Sequence, residues 1–409
     1  MNYGEGVQIS EKMKVLGHSP SDSAENADIV ILNTCTVIDT TEKRMIERIS
    51  ELKRMNKDII VTGCMANVQR SRISIRLPNS LVIPPGSYDT ISEKVTERYG
   101  YGNGEKDTCT SDAGTNCDTR VSAIIPIAQG CLGDCAYCIT KFARGRLQSY
   151  PVSEIKEQFL NALKRGCKEI LITAQDTACY GSDTGTSLPD LIGSLLTTKG
   201  EYRIRIGMMN PEGLDNILER LMDVMDDDRV YRFVHVPVQS GSDDVLRRMN
   251  RRYTSSEFVD MVNRMRSRHN DISISTDLMT GFPGETDEDH RKSLGLIRNA
   301  SPDTVNVTRF SSRPGTEASL MEQIHGRTSK ERSREITAMR FDEAHNRNSE
   351  LIGKKVRVLV TEEGKNGTMI ARTGNYRPVI LSDICKLGSF ADVIVTGCEP
   401  THLFGKITQ

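Results

Sequence analysis

An α/β fold in three parts is what this chain predicts: an N-terminal open parallel α/β domain, a central partial (β/α)6 barrel and a small C-terminal β-barrel of the OB type. Three observations carry that expectation. A βαβ pattern occupies roughly the first hundred residues, six strand-like runs then alternate with helical stretches, and five short strand runs close the chain. At 409 residues the chain is also too long for one ordinary domain and suits two or three.

In the first part, residues 1–100, ADIVILNTC (27–35) reads as a buried parallel strand, Val37 to Met55 as a charged amphipathic helix and DIIVTGC (58–64) as the next strand. Each strand ends in a cysteine, Cys35 after Asn33-Thr34 and Cys64 after Gly63. Both thiols therefore fall at the carboxyl ends of adjacent strands, where open α/β sheets place their ligands. Position alone leaves them equally readable as small apolar core residues. Residues 101–120 are rich in Gly, Asp, Thr and Ser, lack apolar periodicity and read as a linker. Cys109 and Cys117 inside it are expected to be unpaired thiols rather than cluster ligands, because a flexible loop is a poor scaffold for a cluster.

Between residues 121 and 348 the strand runs are VSAIIPIA (121–128), KEILITA (168–174), YRIRIGM (202–208), YRFVHVPV (231–238), ISISTDLM (272–279) and DTVNVTRF (303–310). Six such units suit a partial barrel better than a closed eightfold one, and the chemistry of these barrels lies at the strand C-termini. On that rim fall Gln175-Asp176-Thr177, the segment from Pro237 through Gln239 and Ser240 to Ser242, the segment from Gly281 to Glu285, and Arg313-Pro314-Gly315-Thr316. Any one could be an ordinary βα turn; their recurrence on one rim points to a site. After a charged helix ending near Asn348, runs at 355–360, 368–373, 376–381, 390–396 and 402–408 predict the small barrel of residues 349–409. From Leu351 onward it carries eight Lys/Arg against five Asp/Glu. With Tyr376 and Phe404 for stacking it reads as an RNA-binding module, a solubilising dimerisation domain being the alternative.

A hydrophobic fraction of 37% and a charged fraction of 27% describe a soluble globular protein, and no apolar run approaches membrane-spanning length. Eleven cysteines, an odd number, and no apolar leader predict a reducing, cytoplasmic setting rather than a disulfide framework. The formal charge of −1 gives no global sign of nucleic-acid binding, so such a site has to come from local patches.

The run CLGDCAYC is the most informative in the chain. Cys131, Cys135 and Cys138, at i, i+4 and i+7, can hold three corners of one iron–sulfur cube and leave the fourth iron open to a small molecule. A zinc knuckle would need a fourth Cys or His nearby, and none follows within the next twenty-eight residues. This spacing, with Tyr137 just before the third cysteine, resembles the signature of radical S-adenosylmethionine (SAM) enzymes. Taken in order with NTC (33–35), GC (63–64), VPVQSG (236–241), TDLMTGFPGE (276–285) and SRPGT (312–316), it makes the chain resemble the radical-SAM methylthiotransferase family along almost its whole length. The terminal barrel resembles that family's tRNA-binding TRAM domain. CLGDCAYCITKFARG with Ser149-Tyr150-Pro151, and the run QDTACYG, resemble the archaeal and eukaryotic branch, which acts on N6-threonylcarbamoyladenosine beside the anticodon of tRNA.

The resemblance implies a tRNA-modifying transferase that places a methylthio group on C2 of that adenine. A 4Fe-4S cluster on Cys131, Cys135 and Cys138 would bind SAM and, once reduced, yield the 5′-deoxyadenosyl radical that takes hydrogen from C2, while the protein supplies orientation and excludes water. A second 4Fe-4S cluster on Cys35 and Cys64 would furnish sulfur, and a further SAM the methyl group. Tyr137, Gln175, Asp176, Gln239, Ser240 and Asp277 are the implied SAM-binding residues; tRNA, an electron-donor protein and a sulfur source are the implied partners. Arg144 and Arg146, just past the cluster motif, would face the tRNA backbone or be solvated. The family's second cluster takes its first cysteine just ahead of a segment like Met1-Asn2, so a short β-strand ending in Gly-Cys is expected upstream of residue 1. Two other readings stay open: a radical-SAM enzyme acting on another RNA, a protein or a metabolite, and a degenerate, non-catalytic iron–sulfur tRNA-binding protein.

Overall fold

A computed structural model describes residues 2–37, 39–86, 90–100, 116–117 and 121–408. The chain forms two compact units that do not follow sequence order. Unit 1 comprises Met1–Asn116, Gln129–Gln148 and Ser311–Ser319; unit 2 comprises Cys117–Ala128, Ser149–Phe310 and Leu320–Gln409.

In unit 1 the opening segment runs into helix α1 (Asn2–Val15), and the predicted βαβ pattern appears as β1 (Ile29–Thr34), α2 (Asp39–Arg54) and β2 (Asp58–Gly63). Short helix α3 (Cys64–Val68) follows directly, and β3 (Leu81–Val82) completes a parallel sheet of order β1-β2-β3. Parallel neighbours need a crossover, and α2 supplies it by burying Ile49 and Leu52 in a cluster with Ile59, Val61, Met65 and Ile73. Each such side chain contributes about 1.5–3 kcal/mol when taken out of water. Pairing runs in register from Ile29 with Asp58 to Thr34 with Gly63, so both strands end at one level. The outer edge of β1 has no strand neighbour among the described residues, and a cavity of about 1020 Å³ lies along it, lined also by α1 and the loop from Gly17 to Asp28. The predicted linker lies outside the described residues apart from a two-residue strand, Asn116–Cys117; Cys109 and the side chain of Cys117 are among what lies outside. From the cluster motif onward, unit 1 adds helix α4 (Thr140–Arg144).

Unit 2 contains all six predicted barrel strands: β4 (Ser122–Pro126), β5 (Glu169–Thr173), β6 (Arg203–Ile206), β7 (Phe233–His235), β8 (Ser273–Thr280) and β9 (Thr304–Arg309). They pair in parallel as β4-β5-β6 and β7-β8-β9, linked by a bridge between Ile204 and Val230. Period-2 alternation puts Phe233, His235, Ser273, Ser275, Thr304 and Asn306 along one cavity. Among the intervening helices, Ser255–Arg268 and Asp287–Ala300 both start with full capping boxes, Thr254 with Glu257 and Thr286 with Asp289. Each cap is worth about 1 kcal/mol. Cys167 at the head of β5 is disulfide-bonded, which the expectation of a reducing setting did not anticipate.

Helix α5 (Gly326–Ser349) leads into β10 (Lys355–Glu363), β11 (Met369–Thr373), β12 (Pro378–Leu381), β13 (Phe390–Glu399) and β14 (His402–Ile407). These close into the expected five-stranded barrel, in the order β10-β11-β12-β14-β13, around Val358, Val360, Leu381, Val393 and Leu403. One expectation is corrected here. The Tyr376 ring is half-buried and already engaged within the protein; it meets Tyr231 at 4.9 Å and Phe233 at 5.2 Å, with the guanidinium groups of Arg205 and Arg372 each 4.9 Å from its centroid. An aromatic side chain gains more from burial at this seam than from exposure. Phe404 is exposed, edge-on to His402 at 4.9 Å.

Candidate active site

The cluster motif is shaped by a glycine. Gly130 has φ +81°, and a Cβ there would fall 2.0 Å from the Arg146 carbonyl oxygen, so only glycine lets the loop close on itself before Cys131. The Cys131 N–H then donates to Gly145 O at 3.3 Å. Cys131, Cys135 and Cys138 are half-exposed cysteines on this loop. The Gly133 N–H donates to Cys131 Sγ at 3.2 Å, a bond that favours a thiolate, and the Cys138 N–H donates to Cys135 O at 3.1 Å. Tyr137 is half-buried between them. The Ala136 carbonyl accepts from the Ala318 N–H at 2.9 Å, tying the turn just past the SRPGT segment to the motif. Burial would lower the Lys141 ammonium pKa, but its hydrogen bond to Asp134 and the charge of Cys135 raise it. Among the described residues no three His, Cys, Asp or Glu side chains converge on one ion, as a lone zinc would require. Three half-exposed cysteines spread over one loop fit the corners of a cube.

Cys35 and Cys64 are brought together by the sheet. Gly63, with φ +83°, leaves no room for a Cβ, which would stand 2.2 Å from Thr34 O. Thr34 Oγ1 donates to Thr62 O at 2.5 Å and accepts from the Met65 N–H at 3.2 Å, so the NTC and GC segments are stitched to each other. Both thiols are free, Cys35 half-exposed and Cys64 buried. Burial pushes the Cys64 thiol up, Arg144 opposes that, and the neighbouring Cys35 adds to it. No third His, Cys, Asp or Glu joins them as a metal-binding group among the described residues.

Arg144 itself departs from expectation. The sequence reading puts it on the tRNA backbone or in solvent; the structure buries it to 5% exposure, forked onto the Glu5 carboxylate, one arm at 2.9 Å, beside Cys64. The cause is docking of α3 on α4: Asn67 Nδ2 donates to Phe142 O and Ala143 O at 3.0 and 3.2 Å, which turns the end of α4 inward. Arg146 is exposed. A second buried acid, which sequence reasoning missed, is Glu42. It accepts from Thr36 Oγ1 at 2.6 Å, Gln69 Nε2 at 2.9 Å, Arg313 Nη1 at 2.8 Å and from Arg72. Burial pushes its pKa up, but these donors hold it below the ordinary glutamate value. Arg313, predicted to lie on the barrel rim, spends its charge here.

The remaining candidates lie in unit 2. Asp277 on β8 accepts from His235 Nε2 on β7 (2.8 Å) and Asn306 Nδ2 on β9 (2.9 Å), a row across three strands. Burial acts to raise its pKa, yet the His235 contact and Asn306 keep it below the usual carboxylate range. Gln239, with φ +70°, exchanges backbone bonds with this strand, donating to Asp277 O and accepting from the Met279 N–H, both at 2.8 Å. Both oxygens of Asp176 are engaged within the protein, by the N–H groups of Ala178 and Asn210 (3.1 Å each) and by Asn210 Nδ2 (2.7 Å). Arg251 in turn donates to Asn210 Oδ1 at 2.6 Å, so Asp176 and Asp277 belong to one polar network. Ser240 is fully buried and its hydroxyl accepts from the Ser242 N–H. Gln175 is half-exposed at the end of β5. Nearby Tyr180 donates to Tyr150 O at 2.9 Å, and burial pushes its phenol up to about 12. His235, Asn306 and Asn210 went unnoticed in the sequence because each stands alone there; only strand register brings them to the carboxylates.

Three family descriptions match this chain: the radical SAM superfamily over residues 125–297, the uncharacterized protein family UPF0004 over 1–83 and the TRAM domain over 350–408. A probable threonylcarbamoyladenosine tRNA methylthiotransferase of Pyrococcus horikoshii is 40% identical, covering 99% of this chain and 96% of its own length. The human threonylcarbamoyladenosine tRNA methylthiotransferase is 33% identical over 93% of this chain and 67% of that protein. Among solved structures, the radical S-adenosylmethionine methyltransferase TsrM from Kitasatospora setae, with cobalamin and a [4Fe-4S] cluster bound, superposes with a TM-score of 0.55 at 14% identity, covering 76% of this chain and 68% of its own, a likeness of fold.

Proposed function

This chain belongs to the threonylcarbamoyladenosine tRNA methylthiotransferase family of radical-SAM proteins, and we propose that it places a methylthio group on C2 of N6-threonylcarbamoyladenosine beside the anticodon of tRNA. The observation that carries the reading is the glycine-closed loop presenting three half-exposed cysteines, Cys131, Cys135 and Cys138. A 4Fe-4S cluster held there with SAM supplies the homolytic chemistry that side-chain acids and bases cannot. The protein's own part is binding and orientation. The Gly133 N–H steadies the Cys131 sulfur, and Tyr137 is half-buried in the ligand loop. Asp277, Gln175 and Gln239 are assigned contact with SAM, with His235 and Asn306 fixing the Asp277 carboxylate as an anion able to accept an ammonium. Asp176 and Ser240, whose polar atoms are engaged within the protein, are assigned to holding their loops.

Cys35 and Cys64 are assigned two corners of a second, sulfur-furnishing cluster that needs a further ligand; their side-by-side position and the Arg144 charge support this. The terminal barrel's excess of basic residues supports tRNA as the partner. An electron-donor protein and a sulfur source complete the set, and the cytoplasm is the proposed location. No helix among the described residues is long and apolar enough to cross a membrane. Mass spectrometry of tRNA nucleosides from cells lacking the gene tests the reading: the 2-methylthio form of threonylcarbamoyladenosine should vanish and the unthiolated nucleoside accumulate. An unchanged nucleoside profile would overturn it.

A further inference from the structure

In unit 2 a cavity of about 450 Å³ opens where β7, β8 and β9, helix α5 and the terminal barrel meet, a volume usual for a small-ligand cleft. Its charge is one-sided. Among the described residues Arg205, Arg340, Arg372 and Arg377 line it against a single acid, Asp303. That acid is already engaged by Arg347 and Arg377, and Arg372 has Glu362 at 3.3 Å. Among the described residues Arg205 and Arg340 take part in no ion pair. The Arg205 guanidinium lies against the rings of Phe233 and Tyr376, at 5.0 and 4.9 Å from their centroids, and its Nε is buried without a hydrogen-bond partner. Arg340 donates to the Val305 carbonyl, rests over Phe341 at 4.6 Å, and its Nε is likewise unbonded. Burial alone acts on the Arg340 charge and lowers its pKa, as for a cation with no carboxylate near it.

Half-buried guanidinium groups without counter-charge are unfavourable by themselves, and a phosphate, whose oxygens match their planar fork, removes the imbalance. The rim favours a nucleic acid over a free anion. His402 lines the cavity and stands edge-on to exposed Phe404, a pair of rings suited to stacking a base. The barrel that carries them has eight Lys/Arg to five Asp/Glu. We propose that this cavity is an RNA-gripping subsite in which Arg205 and Arg340 hold one phosphodiester of the tRNA while His402 and Phe404 stack a neighbouring base. The inference rests on the tRNA reading above and adds to it a place and a set of residues.

Binding of an unmodified tRNA transcript to the full chain, titrated over a salt series, tests it. Arg340→Gln should weaken binding about tenfold and make the slope of log K against log salt shallower by about one, the loss of one phosphate contact. Phe404→Ala should weaken binding with the slope unchanged. Both variants should keep the parent melting temperature and the parent rate of SAM cleavage without tRNA. Parent affinity and slope in Arg340→Gln would overturn the subsite. So would inorganic pyrophosphate that binds as tightly as tRNA and depends on Arg340, because the cavity would then be a small-anion site. A chain that binds tRNA through Arg340 but never methylthiolates it refutes the proposed reaction and keeps the subsite; one that methylthiolates while ignoring Arg340 does the reverse.

Discussion

Two glycine–cysteine pairs in unit 1 meet the same steric demand and lead to different surroundings. Gly63-Cys64 and Gly130-Cys131 both place the glycine at positive φ, 83° and 81°, with a carbonyl oxygen where a Cβ would stand. After Gly130 the chain makes a loop that carries all three thiols itself, half-exposed and near one another in sequence. After Gly63 it enters a helix, buries Cys64, and draws its neighbours from elsewhere: Cys35 from another strand and the Arg144–Glu5 pair from two distant helices. A site built from consecutive residues is set by local turn chemistry. One built at the meeting of strands depends on the whole unit being folded.

The contrast can be broken most directly at the thiols. Cys135→Ala should reduce 5′-deoxyadenosine formation by the reduced protein to background, whereas Cys35→Ala and Cys64→Ala should leave it near the parent rate and stop methylthiolation of tRNA. Loss of SAM cleavage in Cys35→Ala would mean the two sites do not act separately. Iron analysis after reconstitution sharpens the point: replacing Cys131, Cys135 and Cys138 together should remove about four irons per chain, the content of one cube, and leave whatever Cys35 and Cys64 hold untouched.

Smaller effects probe the scaffolds. Arg144→Met strands a buried Glu5 carboxylate and should cost about 3–5 kcal/mol in denaturant unfolding, while Arg146→Met, on the exposed side of the same loop, should stay within about 0.5 kcal/mol. Equal losses would mean that Arg144 is not held as described. The mildest test is pH. A carboxyl whose folded pKa lies below its unfolded value adds stability that is complete above the unfolded value and fades as pH falls through the folded one. Glu42 is such a group, so unit 1 should weaken on acidification below the ordinary glutamate value of 4.5, and Glu42→Gln should flatten that part of the stability profile.

Much of the architecture was legible because strands and turns announce themselves locally. Every strand of the partial barrel and of the terminal barrel lies where apolar runs between Gly-containing turns put it. The ligand loop was legible for the same reason, all its thiols lying within eight residues. What the sequence hides are the partners that register supplies. Nothing near Arg144 in the chain announces Glu5, and nothing near Asp277 announces His235 or Asn306. Tyr376 reads as a surface aromatic until the seam that covers it exists. Arg313 sits in a motif that reads as a rim turn, yet its side chain serves a carboxylate on the first crossover helix.

That last contact separates its partners by 271 residues. At about 5–20 residues per second, a ribosome needs about 15 to 50 s to deliver Arg313 after Glu42 has been made. During that interval the nascent sheet of β1 and β2 can form with Thr36, Gln69 and Arg72 around Glu42, but without the residue that completes the set. The cluster loop emerges inside the same interval. The sheet beside Glu42 is therefore made long before it is finished, and a chain stalled short of Arg313 would carry that buried carboxylate without the guanidinium that completes its set.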